Sequence, residues 1–263
     1  MTRLIVIGLI GLLILPSLAS SDEGNLFMFK CELMSGVFEI DPADAQTLVP
    51  KEYELALSDK KKAIVRFYVS SNCQEATFNK EDISSKDFGY AEVNIDIQGP
   101  PELPKIEGAQ ANSLTRYHYT LWQQVAGVKA DRFLHAIRKL NLPIKRVDQI
   151  TMDKFEHINT PCDISGRLVE SGPESAVIWK EKLAPVMPGR MVGIKIKESY
   201  NRDDGKSEHT VVECLVTVGQ MGSLNIEAHP ETMLGKTFGE TITGKAIEHS
   251  QNCECTIWFG SPD

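Results

Sequence analysis

The chain has 263 residues, with 28 Lys and Arg against 36 Asp and Glu, and a formal net charge of −8. That acidic balance, with no concentrated basic stripe, excludes nucleic acid as the expected partner and suits small-molecule or protein ligands. The length admits one large domain or two small ones.

Residues 1–19 read as an export signal. Arg3 supplies the positive start, residues 4–15 form an almost unbroken apolar run, Pro16 breaks it, and Ser17-Leu18-Ala19 offers small residues for cleavage. The run is shorter than the roughly 20 apolar residues of a comfortable membrane span. An uncleaved anchor is the alternative, and under either reading the rest of the chain lies outside the cytoplasm. Residues 20–263 are expected to form one domain, secreted or periplasmic, with no stable membrane span after signal cleavage. A homo-oligomer is compatible with the sequence.

A short helix is expected over residues 41–49. Asp41 can cap it, Pro42 suits its first turn and Pro50 ends it. Lys60-Lys61-Lys62 reads as solvated cations at a turn. Residues 63–70 are β-prone. Residues 90–97 alternate cleanly, with Tyr90, Glu92, Asn94 and Asp96 on one face and Ala91, Val93, Ile95 and Ile97 on the other. Glu92 and Asp96 therefore project together, into solvent or into a polar cavity. Residues 117–125 read as an aromatic strand carrying His118, a binding candidate that could equally be a core histidine. Residues 130–140 make the best helix, with Ala130, Phe133, Leu134, Ile137 and Leu140 as its apolar stripe.

Asn141-Leu142-Pro143-Ile144-Lys145-Arg146 follows. A lysine beside apolar groups and a second cation loses its proton easily, and a neutral lysine attacks carbonyl carbon. The plainer reading is two solvated cations at a turn. Strands are expected over residues 176–179, 191–198, 210–218, 223–228 and 253–259, with Asp203-Asp204-Gly205 as a hairpin turn. The fold class expected is α+β, mainly antiparallel β, closed into a barrel or nearly so, with a few short helices.

Cys31, Cys73, Cys162, Cys214, Cys253 and Cys255 make an even count, which favours disulfides in an exported chain. Cys253 and Cys255, if on a strand, share a face and so suit two different partners better than each other. A Cys-x-Cys redox or zinc site with His249 is the lesser alternative, because spaced pairs of zinc type are absent. No Gly-rich phosphate loop, Gly-x-Ser-x-Gly, His-Glu-x-x-His or Asn-x-Ser/Thr sequon occurs, and no cofactor or metal is implied.

In order and local pattern the chain resembles the acetoacetate decarboxylase-like family over most of residues 20–263. Thr47-Leu48-Val49-Pro50 is similar to the family's early Leu-Leu-Pro, and Tyr90-Ala91-Glu92 to its Tyr-x-Glu strand. Leu142-Pro143-Ile144-Lys145-Arg146-Val147 is similar to the stretch ending in Gly-x-Pro-Lys-Lys. Gly222-Ser223-Leu224-Asn225-Ile226 and Gly244-Lys245-Ala246 are similar to the C-terminal barrel strands. The resemblance implies a Schiff-base lysine that decarboxylates a β-keto acid, with Lys145 as nucleophile, Arg146 as electrostatic helper and Glu92 positioning substrate or handling a proton. Tyr90 and His118 would contact the ligand.

One departure bears on all of this. Ile144 follows Pro143 directly, where the family carries its nucleophile. Aligned on Pro143, Lys145 matches only the helper; aligned on Ile150, it matches the nucleophile. A one-residue slip on extended backbone turns a side chain to the other face. For the family's substrate-binding arginine, Arg66 and Arg116 are candidates without a positional argument. The readings are thus a lyase, a non-catalytic module whose cavity binds a small carbonyl or hydrophobic ligand, or a disulfide-stabilised structural protein without a pocket.

Overall fold

The protein is described here as a computed structural model. It describes residues 24–85, 87–99, 114–137, 142–153, 162–183, 191–201, 207–217 and 222–259. The expected export segment, the Asp203-Asp204-Gly205 turn and residues 138–141 at the end of the second expected helix lie outside them.

In chain order the elements are β1 (Gly24–Ile40), α1 (Pro42–Leu48), β2 (Ala63–Ser71), β3 (Glu75–Phe78), β4 (Glu81–Asp82), β5 (Gly89–Asp96), β6 (Leu114–Ala126) and α2 (Ala130–Ile137). There follow β7 (Ile144–Arg146), β8 (Gln149–Met152), β9 (Cys162–Val169), β10 (Ala176–Leu183), β11 (Met191–Asn201), β12 (Ser207–Thr217), β13 (Gly222–Ala228), α3 (Met233–Phe238) and β14 (Thr241–Phe259). The fold is α+β and mainly antiparallel β. The parallel pairs are β6 with β11 and β6 with β7.

The sheet closes on itself. Strands β1, β2, β5, β6, β11, β12 and β14 follow one another, and β14 pairs back with β1. Closure removes the sheet edges that would otherwise be left unpaired. The first half of β14 leaves the ring and pairs with β13, which continues to β10, β9 and β8. This second layer covers the outer face of β2 and β5.

Two apolar clusters result. One lies inside the barrel and includes Leu26, Met28, Leu33, Val212 and Ile257, capped by Ala130 and Phe133 of α2. The other lies between the layers and includes Phe67, Val69, Val93, Ile150, Trp179 and Leu224, with Met233, Leu234 and Phe238 around α3. A strand with core on both faces cannot show simple polar-out alternation. On β2 and β5 the alternation instead separates a dry face toward the second layer from a polar face toward the barrel.

Strand β1 serves both cores because its register slips. Shifts occur between Phe29 and Cys31, between Cys31 and Leu33, and between Ser35 and Gly36. Lys30 sits at φ 49°, the backbone signature of the first irregularity. Hence Leu26, Met28, Cys31 and Leu33 face the barrel, while Met34 and Phe38 face the other core. Helix α1 forms as its caps require, with the Asp41 carboxylate accepting from the Ala43 N–H at 3.0 Å and Pro42 in the first turn. Lys60 and Lys62 pair with Glu39 and Asp41 at the surface.

Within the second layer Gly166 lies opposite Trp179 on the neighbouring strand, and a Cβ at Gly166 would overlap the Trp179 ring. Trp179 is fully buried and stacks edge-on against Phe67. Gly166→Val is expected to lower stability by about 1–3 kcal/mol through overpacking, read as a lowered urea midpoint with an unchanged m-value.

Two disulfides staple the barrel wall, Cys31–Cys73 and Cys214–Cys255. Cys255 thus has a partner on the neighbouring strand, as its position facing Cys214 allows. Cys253, buried on the same face, is a free thiol rather than the second bonded partner expected of it. Burial pushes that thiol up to about 12, so it is protonated at neutral pH. Among the described residues no helix is long and apolar enough to cross a membrane.

Candidate functional site: a polar wall inside the barrel

Three neighbouring strands turn polar side chains into the barrel. Strand β2 contributes Arg66, Tyr68 and Ser70, β5 contributes Tyr90, Glu92, Asn94 and Asp96, and β6 contributes His118 and Thr120, all buried. Register brings them side by side. Tyr68 lies opposite Glu92, Ser70 opposite Tyr90, and Arg66 opposite Asn94. Asp96 lies opposite His118 across the β5–β6 pair.

The wall has two centres. In the first, Glu92 accepts from the Tyr90 hydroxyl at 3.0 Å and from the Asn94 amide at 3.1 Å. In the second, Arg66 grips Asp96 in a bidentate pair, Nε to Oδ1 at 2.5 Å and Nη2 to Oδ2 at 2.7 Å. This planar fork-to-fork match is the strongest ion-pair geometry available to a side chain. His118 Nε2 lies 3.4 Å from Asp96 Oδ1. Burial first, then the Arg66 and Arg116 charges, holds the imidazole well below its ordinary range. It is therefore neutral, and the contact with Asp96 is not an ion pair. His118 also lies beside the Tyr68 ring, with centroids 5.9 Å apart.

Facing the first centre is an apolar wall of Met28, Leu33, Val212, Cys214, Cys255 and Ile257. Between the walls lies a cavity of about 40 Å³, bordered by Tyr68, Ser70, Tyr90 and Glu92 but almost entirely apolar in its exposed lining. A single water needs roughly 10–15 Å³ on the same measure, so a compact ligand group fits. An apolar cavity with a few converging polar groups is the usual form of a small-ligand site. A wider depression of about 400 Å³ lies over β9, β10 and β13, lined by residues including Ser165, Lys180, Lys182 and Asn225. Lys180, Lys182, Ser223 and Asn225 are exposed there, while Ile164 and Glu181 of the same depression are buried.

Of the residues the sequence singled out, Tyr90, Glu92 and His118 come together on the polar wall. Lys145 and Arg146 do not join them. Both are exposed on β7, and Ile144 is the residue of that strand that packs toward the barrel cluster. Arg146 is tied to Asp131 at the surface, and that hydrogen bond first, with the Asp131 charge, raises its affinity for its proton. Sequence reasoning found the polar face of β5 through its alternation. It left Arg66 without a position and passed over Tyr68 and Ser70. The signal was present, because Arg66, Tyr68 and Ser70 alternate with Val65, Phe67 and Val69 just as on β5.

Fold and wall together define a closed, mainly antiparallel barrel with a buried, partly charged interior. No family model matches the chain, and no curated protein matches it. Solved structures are similar to it at low identity, and they include members of the family that the sequence resembles. An acetoacetate decarboxylase-like enzyme from Sphingomonas wittichii RW1 is 12% identical, with 91% of each chain covered and a TM-score of 0.48. Acetoacetate decarboxylase from Legionella pneumophila is 12% identical, with 90% of this chain and 86% of that one covered and a TM-score of 0.47. The enduracididine biosynthesis enzyme MppR, in its complex with pyruvate, is 11% identical, with 90% and 88% covered and a TM-score of 0.46.

Proposed function

We propose that this chain is an exported, single-domain protein of acetoacetate decarboxylase-like type whose barrel cavity binds a compact ligand without covalent attachment. The observation that carries this reading is the register of β7. Ile144 turns inward and Lys145 is exposed. A Schiff base needs the amine in contact with the ligand carbonyl, and Lys145 lies at the surface rather than among the residues that line the cavity. The cavity itself, almost entirely apolar in its lining and bordered by Tyr68, Tyr90 and Glu92, supports binding of a compact apolar group. Two disulfides suit an oxidising compartment.

Filling the cavity tests this. Leu33 lies on the apolar wall, and Leu33→Phe is expected to abolish the binding of small carbonyl and apolar fragments, read by calorimetry on the folded variant. Fragment binding that survives in Leu33→Phe would move the site elsewhere.

A further inference from the structure

Cys31 has two cysteine neighbours and a bond to one of them. Its disulfide runs to Cys73, in the connection between β2 and β3. Across the seam that closes the barrel, Cys31 lies opposite Cys253 in the β1–β14 register, and Cys253 is a free thiol. Directly facing residues of an antiparallel pair sit roughly 4.5–5.5 Å apart at Cα, inside the span of about 4.4–6.8 Å that a disulfide bridges. Cys31 and Cys253 are both fully buried, whereas Cys73 is half-buried.

The seam is irregular at this point. Register shifts fall on either side of Cys31, and the residues before the two bonded cysteines, Lys30 and Asn72, hold left-handed backbone at φ 49° and 53°. That conformation is sterically disfavoured for residues other than glycine, and an interrupted ladder opens more easily than a regular one. Burial keeps the Cys253 thiol protonated in the closed fold, so attack waits on such an opening.

We propose that Cys31 is the shared half of a two-position disulfide, Cys31–Cys73 in one form and Cys31–Cys253 in the other. The Cys253 thiolate attacks Cys31 Sγ, the Cys31–Cys73 bond breaks, and Cys73 leaves as a thiolate that takes up the proton Cys253 gave away. One disulfide and one thiol stand on each side, so no oxidant or reductant is consumed. The exchange moves the staple from the β2–β3 connection to the β1–β14 seam, whose Met28, Leu33, Cys255 and Ile257 line the cavity. It leaves the half-buried Cys73 as the thiol open to modification.

The test incubates the folded, oxidised protein with N-ethylmaleimide, quenches in acid and maps the peptides without reduction. A glutamate-specific protease cuts after Glu254 and so separates Cys253 from Cys255. Trapping is expected to yield alkylated Cys73 together with a linked Cys31–Cys253 peptide, and Cys253→Ala is expected to slow Cys73 alkylation roughly tenfold or more. Cys73→Ser, in which no exchange is needed, is expected to be isolated with the Cys31–Cys253 bond already formed. Alkylation confined to Cys253, alkylation of neither residue, or equal Cys73 alkylation with and without Cys253 would overturn the exchange. Cys31 and Cys253 both free in a cooperatively unfolding Cys73→Ser would overturn the second position of the bond.

Discussion

Asp96→Ala is expected to destabilise the protein by about 3–5 kcal/mol, the usual cost of removing one partner from a buried ion pair. Arg66 and Asp96 are each less than a tenth exposed and share two hydrogen bonds. Removing the carboxylate leaves a guanidinium buried in the barrel wall, without the group that neutralised it. Removing both charges is a different experiment. Arg66→Met combined with Asp96→Leu is expected to recover most of the loss, because a well-packed apolar pair is often no less stable than the ion pair it replaces. Urea unfolding of the two single variants and the double variant measures the coupling directly. Near-additive losses would show that the two side chains do not act as one unit.

The second large effect is on pH dependence and comes from Glu181. This carboxyl lies on β10, is 2% exposed, and has no hydrogen-bond partner for either oxygen. Burial pushes it up to about 8 from an ordinary value of 4.5. The folded protein therefore keeps a proton that the unfolded chain has already lost between those two values. Stability is greatest below the unfolded value and falls as pH rises toward the folded one, by on the order of 1.4 kcal/mol per pH unit at most. Above pH 8 the cost of the buried charge is complete. His118 acts in the opposite direction. Its depressed folded value means that stability is lost as pH falls below the ordinary histidine range. Glu181→Gln keeps the shape and removes the titration, while His118 is common to both proteins. In the parent the two effects oppose each other between pH 5 and pH 8, and in Glu181→Gln the His118 effect stands alone, so the urea midpoint at pH 8 relative to that at pH 5 should be higher in Glu181→Gln than in the parent. Equal slopes in the two proteins would mean that Glu181 is solvated or paired in solution.

Much of this site was legible from residue order. The alternation from Tyr90 to Ile97 identified the face that carries Glu92 and Asp96, because β5 keeps one register along its inner pairing. Helix α1 was legible from Asp41, Pro42 and Pro50, where each residue has one strong local preference. Strand β1 was not, because its bulges change the phase of the alternation three times and no single period spans Gly24–Ile40. The short strands β7 and β8 and helix α3 also went unread, since elements of three to six residues carry too little periodic signal. Disulfide partners depend on which strands close the ring, and Cys214 meets Cys255 only through the β12–β14 pairing. The direction of Lys145 was undecidable for a similar reason. Three residues of extended chain fit either face, and the pairing of Ile144 with Gln123 on β6 is a tertiary contact.

That direction is also the most exposed point of the account. Treating the protein with borohydride in the presence of acetoacetate and related β-keto acids, then measuring its intact mass, tests it in one step. A ligand held without covalent attachment predicts an unchanged mass, and unchanged ligand affinity in Lys145→Ala. A stoichiometric reduced adduct that maps to Lys145 and vanishes in that variant would contradict the binding reading and establish a Schiff-base enzyme.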